Sequence, residues 1–81
     1  PSDIRARLAL AFALELGTDM AGAKAQYLAV LDQDPDNVNA LNNLAWNLRN
    51  DDPGRALDYI RRATAVAPDQ AALLDTLAVI E

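Results

Sequence analysis

The chain is predicted to be all-α, a stack of helix-turn-helix repeats making five helices, on three observations. It matches itself at a fixed offset, its apolar residues recur at helical spacing, and its turn formers fall at regular breaks. Arg7-x2-Leu10-Ala11-x2-Leu14 corresponds to Leu41-x2-Leu44-Ala45-x2-Leu48, 34 residues further on. Ala23, Tyr27, Val30 and Pro35 correspond to Ala56, Ile60, Ala63 and Pro68, 33 residues further on. A third copy opens as Leu74-x2-Leu77-Ala78. The one-residue difference lies between Leu48 and Ala56, where a turn absorbs it. A fixed period of this length is the mark of a repeat architecture, in which each unit buries its apolar face only against its neighbours.

Taken in order, Ser2 or Asp3 caps a first helix that runs to about Leu16. Gly17 is expected to end it, and Thr18 or Asp19 to cap a second helix reaching about Asp32. Asp34-Pro35-Asp36-Asn37 then makes a turn, because proline blocks helix continuation and Asp or Asn supplies the next cap. The third helix covers about Val38 to Arg49. Asp52-Pro53 is a cap followed by proline at the first helical position, where its missing N–H costs nothing. The fourth helix runs to about Val66, Pro68-Asp69 turns the chain, and a fifth fills Gln70 to Glu81. Alanines 11, 45 and 78, with Ala23 and Ala56, recur where helix backbones must approach closely. Larger residues at i, i+3 and i+7 fill the space around them.

From Leu41 to Pro68 the wording Leu41-x2-Leu44-Ala45-x2-Leu48, Ala56-x3-Ile60, Ala63, Pro68 resembles the tetratricopeptide repeat pattern of W-x2-L-G-x2-Y, A-x3-F and a closing proline. Arg7, Leu41 and Leu74 stand where that family favours Trp, Leu48 replaces Tyr, and Ala replaces Gly. The resemblance covers nearly all of residues 1–81 and implies an α-α superhelix in a single segment. Its first repeat is about 3–36, its second about 37–69, and the first helix of a third about 70–81. Leu41-Asn42-Asn43-Leu44-Ala45-Trp46 followed by Leu74-Asp75-Thr76-Leu77-Ala78 also looks like long bacterial tetratricopeptide proteins of envelope and exopolysaccharide export. That second resemblance implies a bacterial source, a scaffolding role, and residence in the cytoplasm or periplasm.

Composition narrows the function. There is no cysteine and no histidine, which excludes disulfide scaffolds and thiolate or imidazole metal sites. No apolar run approaches the roughly 20 residues that span a bilayer, so no membrane insertion is expected. Pro1 is not a natural start, so processing or excision from a longer chain is expected. The formal charge is −5, and Lys24, Arg55, Arg61 and Arg62 fall on the second helices, the convex side in the family. A phosphate-binding basic face is therefore not expected, nor a nucleic-acid partner.

Catalytic arrangements fail one by one. Asp32-Gln33-Asp34-Pro35-Asp36-Asn37 resembles the opening of a calcium loop, but Asn37 and Asn43 stand where such a loop needs its Gly and its bidentate Glu. Asp51-Asp52 reads as solvated caps suited to a helix dipole rather than an acid/base pair. Ser2 is the only serine, and no histidine exists to activate it. No Gly-rich phosphate loop is present. The expectation is a protein that is not an enzyme and uses no cofactor.

What remains is a binding surface. The resemblance implies that first helices line a concave groove, and it places there Arg5, Leu8 and Phe12, then Asn39, Asn42, Asn43, Trp46, Arg49 and Asn50, then Asp75, Thr76 and Val79. Asn39, Asn43, Trp46 and Asn50 are spaced i, i+4, i+7 and i+11, one continuous stripe. Asn is a weak helix former, costing ~0.6 kcal/mol relative to Ala, so three in a helix cost about 2 kcal/mol. Its amide both donates and accepts, as the backbone of an extended peptide requires. Some family members clamp a C-terminal carboxylate with a Lys/Asn/Arg set. Only Asn43 matches it, with Leu8, Phe12, Ala72 and Thr76 at the other places. The expected partner is a protein or peptide segment in the groove. The alternative is a structural spacer or self-assembly segment with no groove ligand. On the fifth helix, Leu74 and Leu77 are expected to pack backwards, with Leu73 and Ile80 facing outward and supporting a weak homodimer.

Overall fold

The computed structural model describes residues 3–80. Among them there are five helices and no strand: α1 (Ile4–Leu16), α2 (Met20–Gln33), α3 (Val38–Leu48), α4 (Pro53–Val66) and α5 (Ala71–Ile80). Ser2, the other candidate cap, and Glu81 lie outside the described residues. Each observed boundary falls within one residue of the sequence expectation, because short polar side chains mark the starts. The carboxylates of Asp3, Asp19 and Asp52 and the amide oxygen of Asn37 each accept a backbone N–H of the first turn they cap. Losing such a cap typically costs ~1 kcal/mol. Pro53 occupies the first turn of α4, as its missing donor permits.

The end of α1 departs from expectation. Gly17 has an ordinary φ of −84°, and the left-handed residue is Thr18, at φ 65°. The Asp19 N–H donates to the Leu14 carbonyl at 2.7 Å and the Thr18 N–H to that of Glu15 at 2.9 Å. That is the paired bonding of a Schellman turn, with its left-handed position one residue beyond the glycine. A β-branched side chain is costly there, by ~1–2 kcal/mol. Thr18→Gly is therefore expected to raise stability by about 1 kcal/mol after glycine's own entropy is counted, or roughly 4 °C in melting temperature. Gly17→Ala should be harmless, since a Cβ there meets nothing closer than the Ala13 carbonyl at 3.6 Å. A large loss from Gly17→Ala in a thermal melt would place the left-handed residue at 17 after all.

The main helix contacts run between elements adjacent in sequence, α1 with α2, α2 with α3, α3 with α4 and α4 with α5, while α5 also reaches α3. Two buried clusters result. Ala11, Ala23, Tyr27, Val30, Ala40, Leu44, Leu48 and Ala56 form the first, and Leu41, Ala45, Ile60, Ala63 and Leu73 the second. Leu31, Tyr59 and Ile80 pack against both. Neighbouring residues of α3 thus point into different clusters, Leu44 to the first and Leu41 and Ala45 to the second. Six of these buried residues are alanines with no exposed surface, the condition for helices to approach closely.

The ends expose what the middle covers. Leu10, the counterpart of Leu44, is exposed, and so are Leu74 and Ala78, counterparts of Leu41 and Ala45. This corrects the expectation for α5. Leu73 is fully buried and Ile80 half-buried, so neither faces outward, and it is Leu74 that does. The inward face of α5 is Leu73, Thr76, Leu77 and Ile80, spaced i, i+3, i+4 and i+7. The motif residues Leu74 and Ala78 sit on the adjoining face, which in the second repeat is covered by α4.

Candidate functional site

The residues expected to line the groove divide into three groups. Phe12, Trp46 and Val79 occupy the same place in α1, α3 and α5, offset by 34 and 33 residues, and are 56%, 40% and 59% exposed. Large apolar side chains ordinarily avoid such exposure on a small domain unless they are used. Arg5, Asn39 and Asp75 are likewise exposed beside them. Arg49 caps the end of α3 and folds back over the indole, its Cζ 4.0 Å from the Trp46 ring centroid and its Nη1 donating to the Trp46 carbonyl at 2.7 Å. The guanidinium over the ring holds one indole face in a fixed setting.

A second group lies deeper. Leu8 packs against the first core cluster. Asn42 is half-buried, and its Oδ1 is buried with no hydrogen-bond partner. Asn43 is half-buried beside the hydroxyl of Tyr27. Tyr27 is fully buried, and its Oη has no hydrogen-bond partner; Glu15 and Asn43 lie near it without closing a bond. Burial pushes the phenol well above its ordinary value and the Glu15 carboxylate pushes the same way, while Asn43 opposes them weakly. The phenol therefore stays protonated at neutral pH.

Two members do not belong. Thr76 is buried and its hydroxyl donates to the Ala72 carbonyl of its own helix at 3.1 Å, so it offers nothing to a ligand. Asn50 is exposed but lies in the turn after α3, so only Asn39 and Asn43 of the stripe's asparagines carry a helical cost, about 1 kcal/mol together.

One functional neighbour was missed. Asn47 donates from Nδ2 to the Met20 carbonyl at 3.1 Å and to Glu15 Oε1 at 3.4 Å, tying α3 to the α1–α2 hairpin. It shares its register with Ile80, which packs on the core, and that correspondence is the signal that could have placed it.

The basic residues form a separate feature. An open depression of about 530 Å³ runs along α4 past Arg55, Asp58, Tyr59, Arg61 and Arg62. Its arginines have structural partners. Arg55 Nε lies 3.5 Å from Asp52 Oδ2, while Arg62 donates to the Pro35 carbonyl at 2.8 Å and sits 5.9 Å from the Tyr59 ring centroid. No helix among the described residues is long and apolar enough to cross a membrane. No family model matches the chain, and no curated protein matches it.

Proposed function

We propose that the chain is a tetratricopeptide-type segment, its helix pairs stepping as an α-α superhelix, and that it works as a non-catalytic interaction module. An extended peptide or protein segment lies across α1, α3 and α5 on the face bearing Phe12, Trp46 and Val79. The observation that carries this reading is one exposed apolar side chain at the same place in each of three first helices. Asn39, Asn43 and the unpartnered Asn42 Oδ1 supply amide groups beside that track, able to meet a peptide backbone. The role is that of a scaffold, with affinity arising from apolar anchors and orientation from the amides.

Trp46 is the only tryptophan, so its fluorescence reports directly on this face. A displayed peptide library selected on the protein should yield binders that shift its emission to the blue. Trp46→Ala should weaken them by roughly 1 kcal/mol or more, as for an aromatic anchor. Arg61→Ala, on α4, should change binding little. Equal losses from the two variants, or binders that leave the emission unmoved, would place recognition elsewhere.

A further inference from the structure

The exposed face of α5 has a counterpart whose covering is visible. In the second repeat, Leu41 and Ala45 lie i, i+4 on α3 and are completely buried, in one cluster with Ile60 and Ala63 of α4. A short turn reverses the chain between α3 and α4, so antiparallel order sets Leu41 towards Ala63 and Ala45 towards Ile60, large against small in both cases. On α5 the equivalent pair is Leu74 and Ala78, with the same spacing. Leu74 is 51% exposed, Ala78 is exposed, and so is Ala71 one turn earlier. Among the described residues nothing covers them. The required cover is thus a helix that runs antiparallel to α5 and offers a small residue to Leu74 and a large one to Ala78.

We infer that a second copy of this chain supplies that helix, through an antiparallel α5–α5 contact about a two-fold axis. The geometry follows from the stripe itself. An axis passing at Thr76 sets Leu74 of each copy against Ala78 of the other, because 74 and 78 are equidistant from 76. The same large-on-small pairing that closes α3 on α4 is produced twice by symmetry, with no further residue needed. A contact of this kind is isologous and closes at two copies, whereas end-to-end stacking through the exposed Leu10 at the other end would continue indefinitely. Only part of a ten-residue helix takes part in each copy. The buried area is therefore well below the ~800 Å² per partner of a stable standard-sized interface, and the pair is a weak one that forms at high concentration.

The test is sedimentation equilibrium of the 81-residue chain from about 10 μM to 1 mM, with circular dichroism on every sample. The expected result is a mass that rises with concentration and levels at the dimer. Leu74→Lys should raise the dissociation constant at least tenfold, while Leu73→Ala should instead lower the melting temperature, because Leu73 is core. The chain has no cysteine, so single introduced thiols report the register without background. An oxidised mixture of the Leu74→Cys and Ala78→Cys variants should give the 74–78 cross-link in preference to 74–74 or 78–78. A wild type that stays monomeric at 1 mM overturns the inference and leaves the face to some other helix. Masses that grow beyond the dimer, dimers indifferent to Leu74→Lys, or a dominant 74–74 link overturn the proposed geometry.

Discussion

Tyr27→Ala should lose about 3–5 kcal/mol of stability, the usual cost of deleting a large buried aromatic side chain. A chain of this length has roughly 4–12 kcal/mol in total, so the variant is expected to be substantially unfolded at 37 °C. Tyr27 has no exposed surface and belongs to the cluster that joins the first repeat to α3, so its removal opens both at once. Tyr27→Phe should behave in the opposite way. The ring stays, and the lost hydroxyl is a buried group without a partner, so the change should be neutral or slightly stabilising at pH 8. The two should also part in alkali. Because the folded phenol's pKa is raised above the unfolded value of 10.0, stability from this group is intact below about pH 10. Above it the unfolded chain ionises first, and the wild type loses ~1.4 kcal/mol per pH unit until the folded phenol ionises too. Thermal melts of wild type and Tyr27→Phe at pH 8 and 11 measure this. A loss beyond about 1 kcal/mol for Tyr27→Phe at pH 8 would show that the hydroxyl is hydrogen-bonded.

Ala45→Leu should cost about 1–3 kcal/mol by overfilling the place where α3 meets α4. Ala45 is completely buried with Leu41, Ile60, Ala63 and Leu73, and extra carbon atoms there must push helices apart or force side chains off their rotamers. Ala78→Leu makes the same substitution at the same register on α5, where the side chain is exposed. It should be within about 0.5 kcal/mol of wild type in dilute solution. Urea unfolding of both variants compares them directly. Equal costs would mean that α5 is covered even in the monomer.

The contrast between these two alanines also shows where sequence reading succeeds and where it stops. Asp19, Asn37, Asp52 and Pro53 locate helix starts because their chemistry is local, and each acts within one turn of its own position. The turn at Gly17-Thr18 is nearly local, but which residue takes the left-handed conformation depends on how far α1 winds before releasing the chain. Periodicity then identifies the apolar residues of α5 without saying which neighbour each one meets. Leu73 and Leu74 are adjacent and chemically identical, yet one is core and the other faces solvent. Applying the repeat offset to whole faces distinguishes them, since Leu74 inherits the register of Leu41 and that register points towards a following helix.

The candidate face was legible to the same degree. Phe12, Trp46 and Val79 emerge from the offset alone, and their exposure agrees with the register. Thr76 shares the register of Asn43, but its face is turned inward because α5 leans on α3 and α4 rather than continuing a line of equals. The hydroxyl of Tyr27 sets a further limit. The pattern demands a large residue at that place, as Ile60 shows in the next repeat. Nothing in the pattern indicates that a polar atom would arrive between Glu15 and Asn43 without closing a bond.

The neighbour-to-neighbour packing of the helices has a kinetic consequence. Almost every contact that must form lies within one hairpin or between one hairpin and the next helix, so no distant segments need to find each other before the apolar surface begins to close. Chains with such local contacts fold in microseconds to milliseconds. The α3–α4 hairpin contributes to both clusters, with Leu44, Leu48 and Ala56 in one and Leu41, Ala45, Ile60 and Ala63 in the other. It is the natural nucleus, to which α1–α2 on one side and α5 on the other are added. The terminal helices, held from one side only, should be the first to exchange their amide hydrogens and α3 the last.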